Sequence, residues 1–158
     1  MLKVSEILAR PQPAQYSLTL PFSERQRSRL RTRLDSGEVV GLWLPRSRVL
    51  RGGDCLRTDT GEVIEVRAAS ENVSTASTPD PVLLARAAYH LGNRHVPLQV
   101  GSGWLRYEHD PVLDHMTHEL GLSVIPEQAP FEPEAGAYHG GHHHPTDAVV
   151  HQHTHAHD

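Results

Sequence analysis

A chain of 158 residues with 37% apolar content can build one ordinary domain or two small ones. Its net charge of −4, with histidines neutral, gives no general pull toward nucleic acid or acidic membranes. A single cysteine, Cys55, excludes an internal disulfide and any thiolate zinc finger. The start, Met1-Leu-Lys-Val-Ser-Glu6, is interrupted early by Arg10-Pro11, so no signal peptide or membrane span is expected and a reducing cytoplasm is the simplest compartment. The unusual number is 13 histidines, side chains that titrate near neutrality and bind divalent metals.

The first region, residues 1–70, reads as short strands joined by turns. Ser17 to Leu20 alternates polar and apolar. Leu30, Thr32 and Leu34 alternate with Arg29, Arg31 and Arg33. Asp35-Ser36-Gly37 supplies turn chemistry before the β-rich run Val39 to Leu44, and Asp59-Thr60-Gly61 precedes Val63, Ile64 and Val66. Repeated strand–turn units of this length argue a small all-β domain.

The second region, residues 71–138, changes character. Asn72 to Ala76 reads as a strand. Asp80-Pro81 is a helix start, an Asp cap with Pro at the first helical position, followed by Leu84, Ala87, Ala88 and Leu91 at helical spacing and by Gly92 as the expected stop. Val96 to Val100 and Trp104 to Tyr107 flank a Gly101-Ser102-Gly103 turn as a strand pair. Asp110-Pro111 repeats the cap-and-proline start, with Leu113, Met116, Thr117 and Leu120 as the buried stripe and Gly121 as the stop. Leu122 to Ile125 reads as a last strand. The order β-α-β-β-α-β is the ferredoxin-like arrangement, so the fold class is α+β: a small all-β domain, then a ferredoxin-like domain. The third region, residues 139–158, is rich in histidine and glycine, cannot bury enough apolar area to offset its ordering entropy, and reads as a disordered histidine-rich tail.

That tail carries the strongest chemical signal: His139, His142, His143 and His144, then His151, His153, His155 and His157. Neutral imidazole suits nickel, copper and zinc, and a flexible chain can wrap several rings around one ion. A solubilising tail with no metal role is the bland alternative. His95, just past the first helix end, is expected either to cap that helix or to act as a ligand; two copies meeting on a dimer axis could share one ion. His109, at a strand end beside Asp110, is a candidate accessory ligand. His115 and His118 are neighbours on the solvated face of the second helix, and His115-Met-Thr-His118-Glu119 matches neither HExxH nor HxxEH, which argues against a protease. Arg25, Arg27, Arg29, Arg31 and Arg33 have no interleaved aromatic residues to stack bases, so a solvated edge or protein-docking patch is expected and nucleic acid is not. No GxSxG elbow, P-loop or dinucleotide-binding glycine fingerprint is present, and the chain reads as a non-enzyme.

Four stretches resemble the urease accessory nickel metallochaperones. They are Val49-Leu-Arg-Gly-Gly-Asp54; Ala88-Tyr-His-Leu-Gly-Asn-Arg-His95 with Pro97-Leu-Gln99; Arg106-Tyr-Glu-His-Asp110; and Pro130-Phe-Glu-Pro-Glu-Ala-Gly-Ala-Tyr138 before the histidine-rich tail. The resemblance implies an all-β domain that docks partners or peptides and a ferredoxin-like domain that forms a head-to-head homodimer. It implies one Ni(II) shared by two copies of His95, with tail histidines completing the shell or storing further ions, and with zinc or copper able to bind the same sites. It also implies donation to the urease-assembly GTPase and the urease activation complex in the cytoplasm. The chain departs from some relatives in carrying Pro111 where they have histidine, which leaves His109 without that companion. The rival reading is a metal-independent peptide- or partner-binding module whose histidines serve only solubility.

Overall fold

The computed structural model describes residues 1–135. The eight tail histidines and the expected disorder of residues 139–158 lie outside the described residues. The described chain is α+β and mostly sheet.

The first part contains β1 (Leu2–Ile7), β2 (Tyr16–Leu20), a four-residue helix α1 (Phe22–Arg25), β3 (Arg29–Arg33), β4 (Val39–Trp43), β5 (Cys55–Thr58) and β6 (Val63–Ala68). They form one sheet in the order β2-β6-β5-β1-β4-β3. The β1–β4 and β2–β6 pairs are parallel and the others antiparallel. Alternation works as expected in β3: Leu30 is buried while Arg29, Arg31 and Arg33 point to solvent from an edge strand, where charge discourages pairing with another sheet. Val4, Leu18, Val40, Leu42, Ile64 and Val66 make the core of this half. Two elements here were not expected from the sequence. One is β1, whose register slips between Val4 and Glu6 as in a β-bulge, so its period-2 pattern breaks midway. The other is α1, which has no side-chain cap.

The second part contains β7 (Ser70–Ser77), α2 (Pro81–Asn93), β8 (Gln99–Gly101), β9 (Trp104–Glu108), α3 (Pro111–Glu119) and β10 (Ser123–Pro130). The sheet order is β10-β7-β9-β8 and every neighbouring pair is antiparallel. Both helices start as their sequences dictate. Asp80 accepts hydrogen bonds from the Val82 and Leu83 N–H groups at 2.9 and 3.3 Å, and Asp110 accepts from Val112 and Leu113 at 2.8 and 3.3 Å. Ala87 and Leu91 of α2, and Leu113 of α3, lock onto Ala76, Leu105 and Tyr107 of the sheet. Burial of a side chain such as Leu91 contributes about 1.5–3 kcal/mol.

Three boundaries differ from the sequence reading. The helix α2 does not stop at Gly92 but runs through Asn93, and the left-handed residue that closes it is His95. The strand expected over Val96 to Val100 begins only at Gln99, because Val96 and Leu98 turn into the core as coil. The last strand extends to Pro130 rather than ending at Ile125, since it pairs with all eight residues of β7.

The two sheets meet at Arg25. Its guanidinium is fully buried and donates to the Leu20 and Leu50 carbonyls, each at 3.0 Å, and to the carbonyl of Phe131. Glu71 and Glu132 supply the opposite charge at 4.0 and 3.8 Å. Phe22 meets Phe131 edge to face, and the Gly52 N–H donates to Glu132 at 2.7 Å. Burial pulls the Arg25 pKa down, and the two glutamates oppose that shift. The arginine run therefore divides: Arg25 is structural, and Arg29, Arg31 and Arg33 are exposed. Replacing Arg25 with Ala removes the guanidinium bonds to three carbonyls and leaves two partly buried carboxylates without their cation. We expect a loss of about 3–5 kcal/mol, read by urea unfolding of the full chain; a change below about 1 kcal/mol contradicts this account of the junction.

Candidate metal centre

Imidazole is the ligand type this chain offers, and the described residues present it in two different settings. His95 is exposed. It follows the last turn of α2, where the Arg94 N–H donates to Leu91 O at 3.1 Å and the His95 N–H donates to Gly92 O at 3.0 Å. Its φ is 57°, the left-handed region that glycine normally occupies at a helix end. The expectation that His95 closes the helix is therefore met by its backbone, which leaves the ring free: among the described residues, no side-chain hydrogen bond reaches it. Thirteen residues of helix end in a histidine where the backbone favours glycine.

His109 is held instead of displayed. It follows β9 directly, and its N–H donates to Asn72 O at 3.0 Å. Its ring is partly buried, with Nδ1 lying 3.0 Å from Asp114 Oδ2 and 3.0 Å from Ser74 Oγ. Asp114 also accepts from the buried Tyr107 hydroxyl at 2.7 Å. Burial, reinforced by Asp114, raises the Tyr107 pKa well above the ordinary phenol value, so the hydroxyl remains a donor. Pro111 opens α3.

The remaining candidates do not join either setting. His90 is exposed in the last turn of α2, with its ring edge-to-face to Tyr89 at 5.4 Å between centroids. His115 and His118 are exposed on the outer face of α3, as their spacing predicts. Among the described residues, no three His, Cys, Asp or Glu side chains come together as a metal cage. Cys55 is buried at the start of β5 as a small core filler. The sequence reading missed Asp114 and Ser74 as partners of His109, and Tyr107 as the donor to Asp114. The signal was there for Asp114, which follows the cap Asp110 by one helical turn and so returns to the same end of α3.

One exposed imidazole can supply only part of a coordination shell. A site of this kind is completed by ligands from elsewhere: a second copy, another segment or a partner. The class defined so far is a two-part α+β protein, mostly sheet, with one exposed imidazole past a helix end and no cluster of three His, Cys, Asp or Glu among its described residues. The family model for the N-terminal domain of the UreE urease accessory protein matches residues 4–69, and the model for the C-terminal domain matches residues 71–158. Urease accessory protein UreE of Alkalilimnicola ehrlichii is 56% identical over 140 residues, covering 89% of this chain and 86% of the relative. Those of Enterobacter sp. (53% over 139 residues, 87% and 91% covered) and Pseudomonas putida (58% over 128 residues, 80% and 80% covered) are similarly close. The chain belongs to the UreE urease accessory protein family.

The left-handed backbone at His95 has a measurable consequence. Left-handed geometry costs an ordinary residue about 1–2 kcal/mol that glycine does not incur. Replacing His95 with Gly should therefore raise metal-free thermal stability by up to about 1 kcal/mol. An unchanged or lower unfolding temperature contradicts the strain assignment.

Proposed function

We propose that this chain is a nickel-binding metallochaperone that delivers Ni(II) to the urease assembly machinery, with His95 from each of two copies forming the shared site of a homodimer. The β7–β10 unit, residues 71–138, is read as a ferredoxin-like dimerisation domain, and residues 1–70 as the domain that docks partners. Residues 139–158 are read as an auxiliary ligand supply. The partners are the urease-assembly GTPase and the larger activation complex, in the cytoplasm; among the described residues, no helix is long and apolar enough to cross a membrane.

One observation carries the reading: the chain leaves the described fold beside the loop that displays His95. The Glu134 N–H donates to Leu98 O at 2.8 Å, and the Glu132 N–H donates to Gln99 Oε1 at 2.9 Å. Leu98 is three residues from His95 along the chain. His142 is eight residues beyond Glu134, a reach of up to about 27 Å when extended. His139, His142, His143 and His144 are thus tethered within range of His95 and raise the local imidazole concentration around any ion it holds. His151, His153, His155 and His157 extend the same supply. Family membership supports the assignment to urease maturation and gives the metal-independent module no support.

The donor chemistry fits Ni(II) as cargo. A few neutral imidazoles near solvent bind without burying the ion, so an acceptor's ligands can enter before the carrier's leave. Imidazole alone does not select nickel over copper, and zinc competes for the same donors, so metal supply or partner geometry sets the choice. Nothing in this exchange needs a placed general base or a bond broken in a substrate, and the reading is that of a carrier, not an enzyme.

Protons compete with the metal for imidazole, which fixes the sign of the pH dependence. Nickel affinity of the full chain, measured by calorimetry, should fall at least about tenfold between about pH 8 and about pH 5.5. At the higher pH, His95→Ala should remove the tightest site while leaving a dimer, and a chain ending at Tyr138 should keep that site but bind fewer ions. Equal affinity at both pH values, or a tightest site that survives His95→Ala, overturns the reading.

A further inference from the structure

We propose that Asp114 is the positioning residue for His109: it holds the ring in the Nδ1–H tautomer, which leaves Nε2 as a preset lone-pair donor for a divalent cation. The proposal rests on the carrier reading for the identity of the cation, but its tautomer half does not.

The tautomer follows from where the protons around these side chains can lie. A carboxylate only accepts hydrogen bonds, so the 3.0 Å approach of Asp114 Oδ2 to His109 Nδ1 requires the proton on Nδ1. Ser74 Oγ lies at the same distance from Nδ1 and could in isolation donate to it, which would force the opposite tautomer. Ser74 is fully buried, however, and its hydroxyl hydrogen can turn so that the oxygen offers a lone pair to an Nδ1–H. Tyr107 in turn donates to Asp114 Oδ1 at 2.7 Å. With Tyr107 and His109 both donating to Asp114, Ser74 serves as an acceptor and His109 donates through Nδ1. Reversing the Ser74 hydroxyl would set two lone pairs, Nδ1 and Asp114 Oδ2, against each other at 3.0 Å. Among the described residues, Nε2 has no hydrogen-bond partner. A carboxylate or carbonyl on the far nitrogen is the arrangement that fixes the tautomer and raises the basicity of a metal-binding histidine. The network is anchored from three elements, with Ser74 on β7, Tyr107 on β9 and Asp114 on α3, so the ring direction is set by the fold and not by the loop alone.

His109 gains from this a role that Pro111 does not cancel. A histidine two residues along would have added a second donor, whereas Asp114 aims the single donor. The cation it would engage is a divalent metal with open coordination positions.

The test is long-range proton–nitrogen NMR of the full chain at about pH 8, above the ordinary histidine range, with the His109 signals assigned by their loss in His109→Gln. Wild type should show His109 with its proton on Nδ1, without any metal and without any variant. In Asp114→Asn, Tyr107 claims the amide oxygen and the amide NH2 faces Nδ1 as a donor, so the ring should switch to the Nε2–H form. The Ni(II) concentration that broadens the His109 ring signals should then rise at least about tenfold. An Nε2–H ring in wild type overturns the proposal, and so does an unchanged tautomer in a folded Asp114→Asn chain or an unchanged Ni(II) concentration after the switch. His95 signals in the same spectra report the carrier reading separately: if Ni(II) leaves them untouched, that reading fails while the tautomer result still stands.

Discussion

A single buried cation organises this molecule. Arg25 sits at the end of a four-residue helix that has neither length nor a side-chain cap to sustain it. A helix so short is not stable by propensity, and its conformation is imposed by what Arg25 finds. What it finds is three carbonyls, two from the first half and one from Phe131 of the second, with Glu71 and Glu132 near by. A buried guanidinium without these partners is costly, so the state in which both halves meet is the state in which that cost is met. The junction thereby fixes the course of residues 131–134, and with it the contact of Glu134 with Leu98. A contact in the β-rich half thus sets the geometry of the imidazole-bearing half.

The two histidine settings divide the chemistry. His95 occupies a strained backbone position with an unengaged ring, and strain of this kind persists only where the surrounding fold over-determines it. The capped helix α2 does so, held by Leu91 in the core on one side and by the paired 98–99 segment on the other. The result is an exposed donor on a rigid mount, which suits an ion that must be acquired and given up. His109 is the opposite case, a donor aligned by a buried tyrosine and a carboxylate.

How much of this could be read in the sequence depends on how local each cause is. The two Asp-Pro starts were legible because an N-cap needs only its own residue and the next three, and both capped as expected. The Arg29–Arg33 edge was legible because period 2 is a local pattern. The strand β1 was not, since the slip after Val4 breaks that period midway. Gly92 looked like the stop of α2 because glycine is the usual left-handed residue, yet the chain places that conformation three positions later, on His95. The short β8 was misjudged because Val96 and Leu98 are apolar for core packing, not for strand pairing. The extension of β10 to Pro130 follows from the length of its neighbour β7, a relation between distant segments.

The site followed the same rule. His95 and His109 stood out by residue type and position, but what distinguishes them physically is tertiary. The partners of His109, Ser74 on β7 and Asp114 on α3, stand 40 positions apart, and no window of sequence contains them. Arg25 is the sharper lesson: in the sequence it is the first of five alternating arginines that read as one patch, and in the fold it is the only one of them that is buried. Charge patterning describes residues by what surface they could make, whereas burial is decided by which carbonyls converge. Where three carbonyls and two carboxylates converge, one guanidinium with its five donors is the side chain that can satisfy them, and the remaining arginines are left to solvent.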